Sequence, residues 1–428
     1  MTGTPAVSLN VFQRIIRQWE AVHPYNAAQA MHLRGQAGVS AWQHAWDDTL
    51  RAMRLGRAIV EDNRLTYQPP ESSQPIDIVP PHVPLEQHVT VGMNQPFAEG
   101  DIPIRPFIRQ DDGTYHVGVV YQHWIADSVS IRMLLRQWFA RVMDPSAVDP
   151  RPPRQPTGGY WRHFGPQRVP WELDQAVLDI VRTFSRFRSV RRISTAGSSD
   201  FAKRFITRTA PRGIVPALIR YSRSRGVTLN DLFLAAMMEQ CVGHLPFRQT
   251  PRRQDLALGT IVDLRGSGDD ALADVFGLFL GFTHTIVRGT DLSDFERMLR
   301  SIHAQSALSK QRYGAAAGTV WLGLSLIFGR RMPGPESYRF FRKHMPLAGG
   351  ISNVNMNRTW AGKYHPNPLL GYVRASPTGP MIPVAFTPTT LGDDLQAAMT
   401  YRSALINPET AGRMLEGILT RLCQCAMI

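Results

Sequence analysis

The chain has 428 residues and a mass of 48.0 kDa, a length that favours two domains over one small core. Its 48 basic residues outnumber its 34 acidic residues, and the net charge of +14 favours acidic partners without choosing among them. No zinc-ligand spacing, helix-turn-helix pattern or aromatic RNA-binding motif accompanies this charge, which argues against nucleic acid as a partner. Three cysteines are too few and too badly spaced for a disulfide framework or a zinc site, so no bound metal is predicted.

The sequence shows neither a secretion signal nor a membrane span. Met1 to Asn10 lacks a basic region followed by an apolar run. The longest apolar segment, Ala315 to Gly329, is too short for a bilayer and is predicted to be a buried or interfacial helix. These features predict a cytoplasmic protein without a transmembrane segment, and they leave peripheral contact with a membrane open.

The first part of the chain alternates between the periodicities of helices and strands. Apolar residues recur at helical spacing in Val11 to Val22 and Val39 to Arg54. A polar, Pro-rich passage follows as far as Pro84. Strands are predicted at Gln29 to Leu33, Gln87 to Asn94, Pro103 to Arg109 and Gly113 to Tyr121. Such alternation is typical of a mixed α/β fold.

Pro145 to Pro170 contains seven prolines and the pair Gly158-Gly159, so it can neither sustain a helix nor join a central strand. We therefore predict two domains, 1–160 and 161–428. The second is also mixed. Its predicted helices are Trp171 to Phe187, Pro211 to Arg225, Asp231 to Gly243, Leu292 to Arg312, Ala315 to Phe328, Glu336 to Lys343 and Pro408 to Cys425. Its predicted strands are Phe201 to Thr207, Leu256 to Val262, Thr283 to Val287, Leu347 to Val354, Leu369 to Ala375, Val384 to Leu391 and Leu395 to Tyr401.

A histidine and an aspartate stand four residues apart where a predicted strand gives way to a predicted helix. His123 and Asp127 follow the strand that ends at Tyr121, and Ser130 begins a segment with apolar residues at helical spacing. The spacing alone is weak, because His44 and Asp48 share it within an amphipathic helix, where a surface pair explains it. A rigid turn with one open edge suits a general base, which makes His123 the catalytic candidate.

With these elements in place, the chain resembles the acyltransferase superfamily that uses CoA and carrier-protein thioesters and shares the chloramphenicol acetyltransferase-like fold. Its members include peptide synthetase condensation domains, wax ester synthases, polyketide-associated acyltransferases and plant BAHD enzymes. Their signature HHxxxDGxS matches at His123, Asp127 and Ser130 and departs at Gln122 and Ser128. Further family landmarks follow in their usual order: His23 to Asn26, Ile104 to Phe107, Thr228 to Asp231, Asp263 to Arg265 and Ser352 to Val354.

The resemblance implies an α/β fold of two subdomains with related topology and a substrate tunnel between them. It implies transfer of an acyl group from a CoA or carrier-protein thioester to an alcohol or amine acceptor. The acyl-CoA or phosphopantetheinyl acyl-carrier would be a cosubstrate, and no permanently bound cofactor is expected. The basic charge, including the run from Arg182 to Arg192, would suit CoA phosphate or an acidic acyl or peptidyl carrier protein, although a solvated basic helix face is the simpler explanation of the run.

The resemblance also assigns roles to residues. His123 would be a general base that acts without a covalent intermediate, the alternative being a satisfied core histidine. Asp127 would be a structural brace, with Arg265 as its counter-charge. Asn353 and Ser352 would hydrogen-bond the acceptor or the oxyanion, or only satisfy loop backbone. Trp124 would line the tunnel or only pack against the core.

The two departures from the signature leave a second function open. Ser128 in place of glycine implies either an altered turn or a hydroxyl contributed to the site. Gln122 replaces a histidine that the family does not generally need for chemistry. The alternative to an enzyme is a catalytically degenerate condensation-like domain that acts as a binding or recruitment module.

Overall fold

The structure is a computed structural model, and it describes residues 6–149, 151, 185–194, 200–248, 250–265, 272–311, 343–357, 360, 368–379 and 382–428. Much of the Pro-rich passage lies outside the described residues, so the boundary at residues 160 and 161 stays a prediction. The predicted helix Ala315 to Phe328 also lies outside them, and so do most of the predicted helices Glu336 to Lys343 and Trp171 to Phe187.

Helices and strands alternate along the described chain, which confirms the predicted mixed α/β character. In chain order the elements are β1 (Val7–Ser8), α1 (Val11–Glu20), β2 (Asn26–Arg34), α2 (Val39–Ala52), β3 (Arg57–Glu61), β4 (Arg64–Gln68), β5 (Asp77–Val79), α3 (Leu85–Asn94), β6 (Ile104–Asp111), β7 (Thr114–Gln122), α4 (Ser128–Met143), β8 (Lys203–Thr209), α5 (Ile214–Ser224), α6 (Leu229–His244), β9 (Leu256–Asp263), β10 (Leu280–Val287), α7 (Phe295–Gln311), β11 (Gly349–Ile351), β12 (Val354–Asn355), β13 (Leu369–Ala375), β14 (Val384–Phe386), β15 (Thr389–Leu391), β16 (Asp394–Arg402) and α8 (Pro408–Ala426). Within the described ranges, none of these helices is long and apolar enough to cross a membrane.

The chain divides into two compact units, and neither is a continuous stretch of sequence. Unit 1 comprises Met1–Arg168, Asp263–Leu280 and Gly362–Arg374. Unit 2 comprises Val169–Val262, Gly281–Ala361 and Ala375–Ile428. Unit 1 therefore takes two segments from the later part of the chain.

A five-stranded sheet forms the centre of unit 1, in the order β13-β2-β7-β6-β5. β7 pairs antiparallel with β2, from Asn26 opposite Gln122 to Arg34 opposite Thr114, and it pairs antiparallel with β6 on its other side. β7 is thus a central strand, and its residues Val117 to Tyr121 are buried, as the hydrophobic run in the sequence requires.

Helices cover both faces of this sheet. On one face, Trp42 of α2 and Trp138 of α4 meet edge to face, with ring centroids 5.3 Å apart, and the ring of Trp42 also approaches Tyr115 of β7. On the other face, α3 approaches β7 so closely that a Cβ on Gly92 would lie 2.8 Å from Val120. Glycine is therefore required at this contact.

The predicted strand Gln87 to Asn94 is wrong, because these residues belong to helix α3. The β-branched run from Val89 to Val91 favours a strand by local propensity. In the structure Leu85, Val89 and Met93 are buried at intervals of four residues, so packing against the sheet decides for a helix.

The passage described above as polar and Pro-rich also contains the hairpin of β3 and β4, which the sequence analysis did not predict. Its two-residue turn is formed by Asp62 and Asn63, with φ of 47° and 60°. Two adjacent positive φ angles match the turn that suits the twist of a hairpin, and Asn and Asp tolerate this conformation.

Unit 2 contains an eight-stranded sheet, in the order β10-β9-β11-β14-β16-β15-β12, with β8 paired to β16. Helix α6 is buried along most of its length, including Leu232 to Met238 and Cys241, which agrees with its nearly uniform apolar sequence. Thr228 is the N-cap of α6. Its hydroxyl accepts a hydrogen bond from the Asp231 backbone N–H, and the Asp231 carboxylate accepts one from the Thr228 backbone N–H.

Candidate active site

The turn between β7 and α4 is held by three backbone hydrogen bonds. The N–H of His123 donates to the carbonyl of Tyr25 at 3.1 Å, and the N–H of Asp127 donates to the carbonyl of Gly277 at 3.0 Å. Inside the turn, the N–H of Ile125 donates to the backbone carbonyl of Gln122 at 3.2 Å. These bonds fix the turn to its surroundings in unit 1 at both ends.

The imidazole of His123 is anchored through one of its two nitrogens. Its Nδ1 lies 3.0 Å from the backbone carbonyl oxygen of Ala126. A carbonyl oxygen only accepts, so in the neutral ring Nδ1 carries the proton and Nε2 has the lone pair. The ring is half-buried between Tyr25, which it stacks on with centroids 6.0 Å apart, and Tyr121, which it meets edge on.

The surroundings of His123 favour the neutral base. Burial lowers the pKa of His123 below its ordinary value, and the positive charge of Arg374 acts in the same direction. The Ala126 carbonyl and the Asp127 carboxylate raise the pKa but do not outweigh burial. At neutral pH Nε2 is therefore ready to accept a proton.

Asp127 is fully buried and makes all its described hydrogen bonds away from the imidazole. Its carboxylate accepts from the backbone N–H of Ser130 at 2.9 Å, as the N-cap of α4, and from the N–H of Phe279 at 2.8 Å. It also forms an ion pair with Arg265. Burial alone raises the pKa of Asp127, but the Arg265 charge and these hydrogen bonds outweigh it and leave the pKa below its ordinary value.

Arg265 connects the turn to the segment that contains residues 263–280. Besides Asp127, it donates to the Ser130 hydroxyl at 2.9 Å and to the Val275 carbonyl at 3.2 Å. Its guanidinium also lies over the ring of Phe279, 4.7 Å from the centroid. The structure thus brings together Asp127, Arg265 and Ser130 in one network that stiffens the start of α4.

One arginine at the site has no counterpart in the sequence analysis. Arg374 lies on β13, is 2% exposed, and donates from Nε to the Ser128 hydroxyl at 3.1 Å. Burial lowers the pKa of Arg374 to about 10, and the nearby charge of Arg132 acts in the same direction. The available signal was an arginine inside the mostly apolar predicted strand Leu369 to Ala375, since a buried charged residue is the informative exception in a core.

Trp124, Ser352 and Asn353 are the other predicted site residues. Trp124 is buried, with Arg17 of α1 over its ring and its carbonyl accepting a hydrogen bond from Gln13. Ser352 and Asn353 belong to unit 2, between β11 and β12. The side-chain oxygen of Asn353 is buried and has no hydrogen-bond partner within the described residues. In those same residues, no three His, Cys, Asp or Glu side chains converge as a metal site would require.

Solved structures resemble the chain along its whole length, although sequence identity is low. The trichothecene 15-O-acetyltransferase TRI3 from Fusarium sporotrichioides matches with a TM-score of 0.70 at 13% identity, over 98% of this chain and 95% of that chain. The condensation domain of the monacolin K polyketide synthase MokA matches with a TM-score of 0.64 at 13% identity, over 100% of this chain and 98% of that chain. The X-domain of teicoplanin biosynthesis, solved in complex with OxyB, matches with a TM-score of 0.53 at 16% identity, over 100% of this chain and 94% of that chain.

These likenesses establish the fold. The chain shares the fold of these condensation and acetyltransferase structures, which confirms the predicted chloramphenicol acetyltransferase-like α/β fold. By sequence, no protein-family model matches the chain, and no curated protein matches it either. At these identities the structural comparison identifies a fold and leaves the activity to be argued from the site.

Proposed function

We propose that the chain is an acyltransferase that moves an acyl group from a CoA or carrier-protein thioester to an alcohol or amine. The observation that carries this proposal is the state of His123. Its Nδ1 lies against the Ala126 carbonyl, burial holds its pKa low, and the neutral ring therefore has a basic Nε2. A rigid, unprotonated base beside a brace that keeps it in place is what deprotonation of a nucleophile needs.

The reaction balances with His123 as the proton carrier. The acceptor oxygen or nitrogen attacks the thioester carbonyl carbon while its proton passes to Nε2 of His123. The new bond forms as the carbonyl π electrons move onto oxygen, giving a tetrahedral oxyanion. When these electrons return, the carbon–sulfur bond breaks, the sulfur takes the proton from His123, and the acyl product and a free thiol leave. No covalent acyl-enzyme is involved.

The other residues have supporting roles. Asp127 and Arg265 hold the turn that carries His123, and they do not touch the reacting atoms. Ser128 is a candidate hydrogen-bond donor to the oxyanion, and Asn353 and Ser352 are candidates for contact with substrate. The donor would be a cosubstrate, because the proposed chemistry needs no resident cofactor or metal. Condensation domains of polyketide and peptide synthetases share this fold, which supports a carrier-protein thioester as one form of the donor.

The test is release of thiol from a panel of acyl-CoA donors, from acetyl to palmitoyl, and from acyl-phosphopantetheinyl carrier protein, with mixed alcohol and amine acceptors. We expect thiol release to depend on acceptor and on His123. Mass spectrometry of ligands that copurify with the chain narrows the donor and acceptor. Absence of thiol release from every donor would overturn the proposal.

A second candidate function is a binding or recruitment module without chemistry. It is favoured by the departures at Gln122 and Ser128, and by the fold of the X-domain that was solved in complex with OxyB. Such a module would release no thiol, and replacing His123 would leave its partner binding unchanged. A pull-down with immobilised wild-type and His123→Ala chains therefore separates the two functions.

A further inference from the structure

The hydrogen bond between Arg374 and Ser128 has a fixed direction. A guanidinium has donors only, so the Ser128 oxygen is the acceptor. The hydroxyl proton of Ser128 must then point away from Arg374, and it has no acceptor within the described residues. The bond thus leaves a single O–H donor available on a half-buried side chain at the first residue of α4.

Arg374 also strengthens this donor. A hydroxyl that accepts a hydrogen bond from a cation gives up electron density and donates more strongly in turn. Arg374 is almost completely buried, where its charge is weakly screened. The charge of Arg374 also lowers the pKa of His123, after burial has done so.

Serine in place of the signature glycine at position 128 is therefore explained by its hydrogen bond with Arg374. A glycine at position 128 would offer no side-chain group to either partner. Serine supplies the hydroxyl, and Arg374 fixes its orientation across a separation of 246 positions in the chain. The donor lies in the same segment as the proposed base, five residues beyond His123.

We propose that Arg374 is a positioning residue that holds the Ser128 hydroxyl as a donor to the oxyanion of the acyl-transfer intermediate. This inference rests on the proposed function. As the acceptor attacks, the carbonyl electrons move to oxygen and Ser128 donates a hydrogen bond to it without transferring its proton. The bond weakens as the carbonyl reforms, the carbon–sulfur bond breaks and the thiol takes its proton from His123. Ser128 contacts the reacting oxygen, whereas Arg374 acts through Ser128.

A double-mutant cycle on kcat and KM tests this arrangement. We expect Ser128→Ala to lower kcat about 10²-fold with little change in KM, the loss typical of removing one oxyanion donor. Arg374→Met should lower kcat as well, and the double variant should be no slower than Ser128→Ala alone, since both changes remove one function. Arg374→Lys should recover part of the loss. Arg51→Met, on the exposed surface of α2, is the matched control.

Each alternative result contradicts a specific part of the inference. Independent, multiplying losses in kcat would show that Arg374 does not act through Ser128, and a loss confined to KM would show that the pair only binds substrate. If Arg374→Met fails to melt cooperatively, Ser128→Thr replaces it: retention of activity by threonine but not by alanine supports the hydroxyl role, and equal loss overturns it. Full activity of Ser128→Ala overturns this inference and leaves the proposed function standing. A wild-type chain that turns over no donor overturns both.

Discussion

Arg265 and Asp127 form a buried ion pair, although 138 positions separate them in the chain. Their side chains are 6% and 0% exposed, so neither charge is solvated by bulk water. A buried charge without its partner is strongly destabilising, and each residue therefore requires the other. The pair joins the start of α4 to the segment after β9, and the position of His123 depends on that junction.

We expect Asp127→Ala to lower the free energy of unfolding by about 3–5 kcal/mol, because it leaves Arg265 buried without a counter-charge. Asp127→Asn should destabilise less, since the amide keeps an oxygen for the Ser130 N–H. Urea denaturation measures both losses. Asp48→Ala removes an exposed partner of Arg51 and should change the free energy by less than about 1 kcal/mol. Equal stability of Asp127→Ala and wild type would contradict a structural role for the pair.

His123→Ala should reduce thiol release to background while the chain melts at its normal temperature. The reason is that His123 supplies the only proposed base, and its ring is half-buried at the edge of the turn. The matched control is His44→Ala, because His44 has the same spacing to an aspartate but lies exposed on α2. Activity in a well-folded His123→Ala variant would exclude His123 as the base.

The pH dependence of kcat/KM should follow the pKa of His123. The base is active when neutral, and burial lowers its pKa below the ordinary value of 6.5. The midpoint of the decline in activity with an alcohol acceptor should therefore lie below pH 6.5. Arg374→Met removes a charge that lowers this pKa, so it should move the decline to higher pH. An unchanged profile would show that Arg374 does not influence the base.

Acid should destabilise the folded chain before most carboxylates titrate. Burial lowers the pKa of His116, stacked on His32, to about 3, and that of His284, against Phe187, to about 4. In the unfolded chain each of these histidines has the ordinary pKa of 6.5 and binds a proton below that pH, whereas in the folded chain it stays neutral. The free energy of unfolding therefore falls as the pH falls from 6.5 toward 4. Each histidine contributes at most about 1.4 kcal/mol per pH unit.

Unfolding measured at pH 7.5, 6.5, 5.5 and 5 checks this slope. His284→Gln removes one of the groups that titrate, and its slope between pH 6.5 and 5 should be smaller than that of wild type. His44→Ala, which removes an exposed histidine on α2, is the control variant. A slope that does not differ between His284→Gln and wild type would refute the assignment to His284.

The sequence predicted those residues of the candidate site that belong to a motif or to a local periodic pattern. The hydrophobic run of β7 and the helical spacing after Ser130 place His123 in a turn, and the resemblance supplies Arg265 as the counter-charge for Asp127. Arg374 was missed because no local pattern joins residues 246 positions apart. Such a contact follows from which strand lies beside β2, and strand order is a property of the whole fold.

The two errors in the predicted fold have separate causes. The β-branched residues of α3 favour a strand until the sheet beneath them buries one helical face, so the context decides. The hairpin of β3 and β4 was missed for a different reason. Its turn residues Asp62 and Asn63 were visible in the sequence, but the prolines that follow suggested an irregular passage instead.

The discontinuity of unit 1 affects how the chain folds during synthesis. β13 pairs beside β2, and Arg265 neutralises Asp127, but both arrive late in the order of translation. A nascent chain that ends before residue 263 would have β2 as an unpaired sheet edge and Asp127 without its counter-charge. Unit 1 therefore cannot be completed as its first 168 residues leave the ribosome. Its final packing must follow translation of most of unit 2.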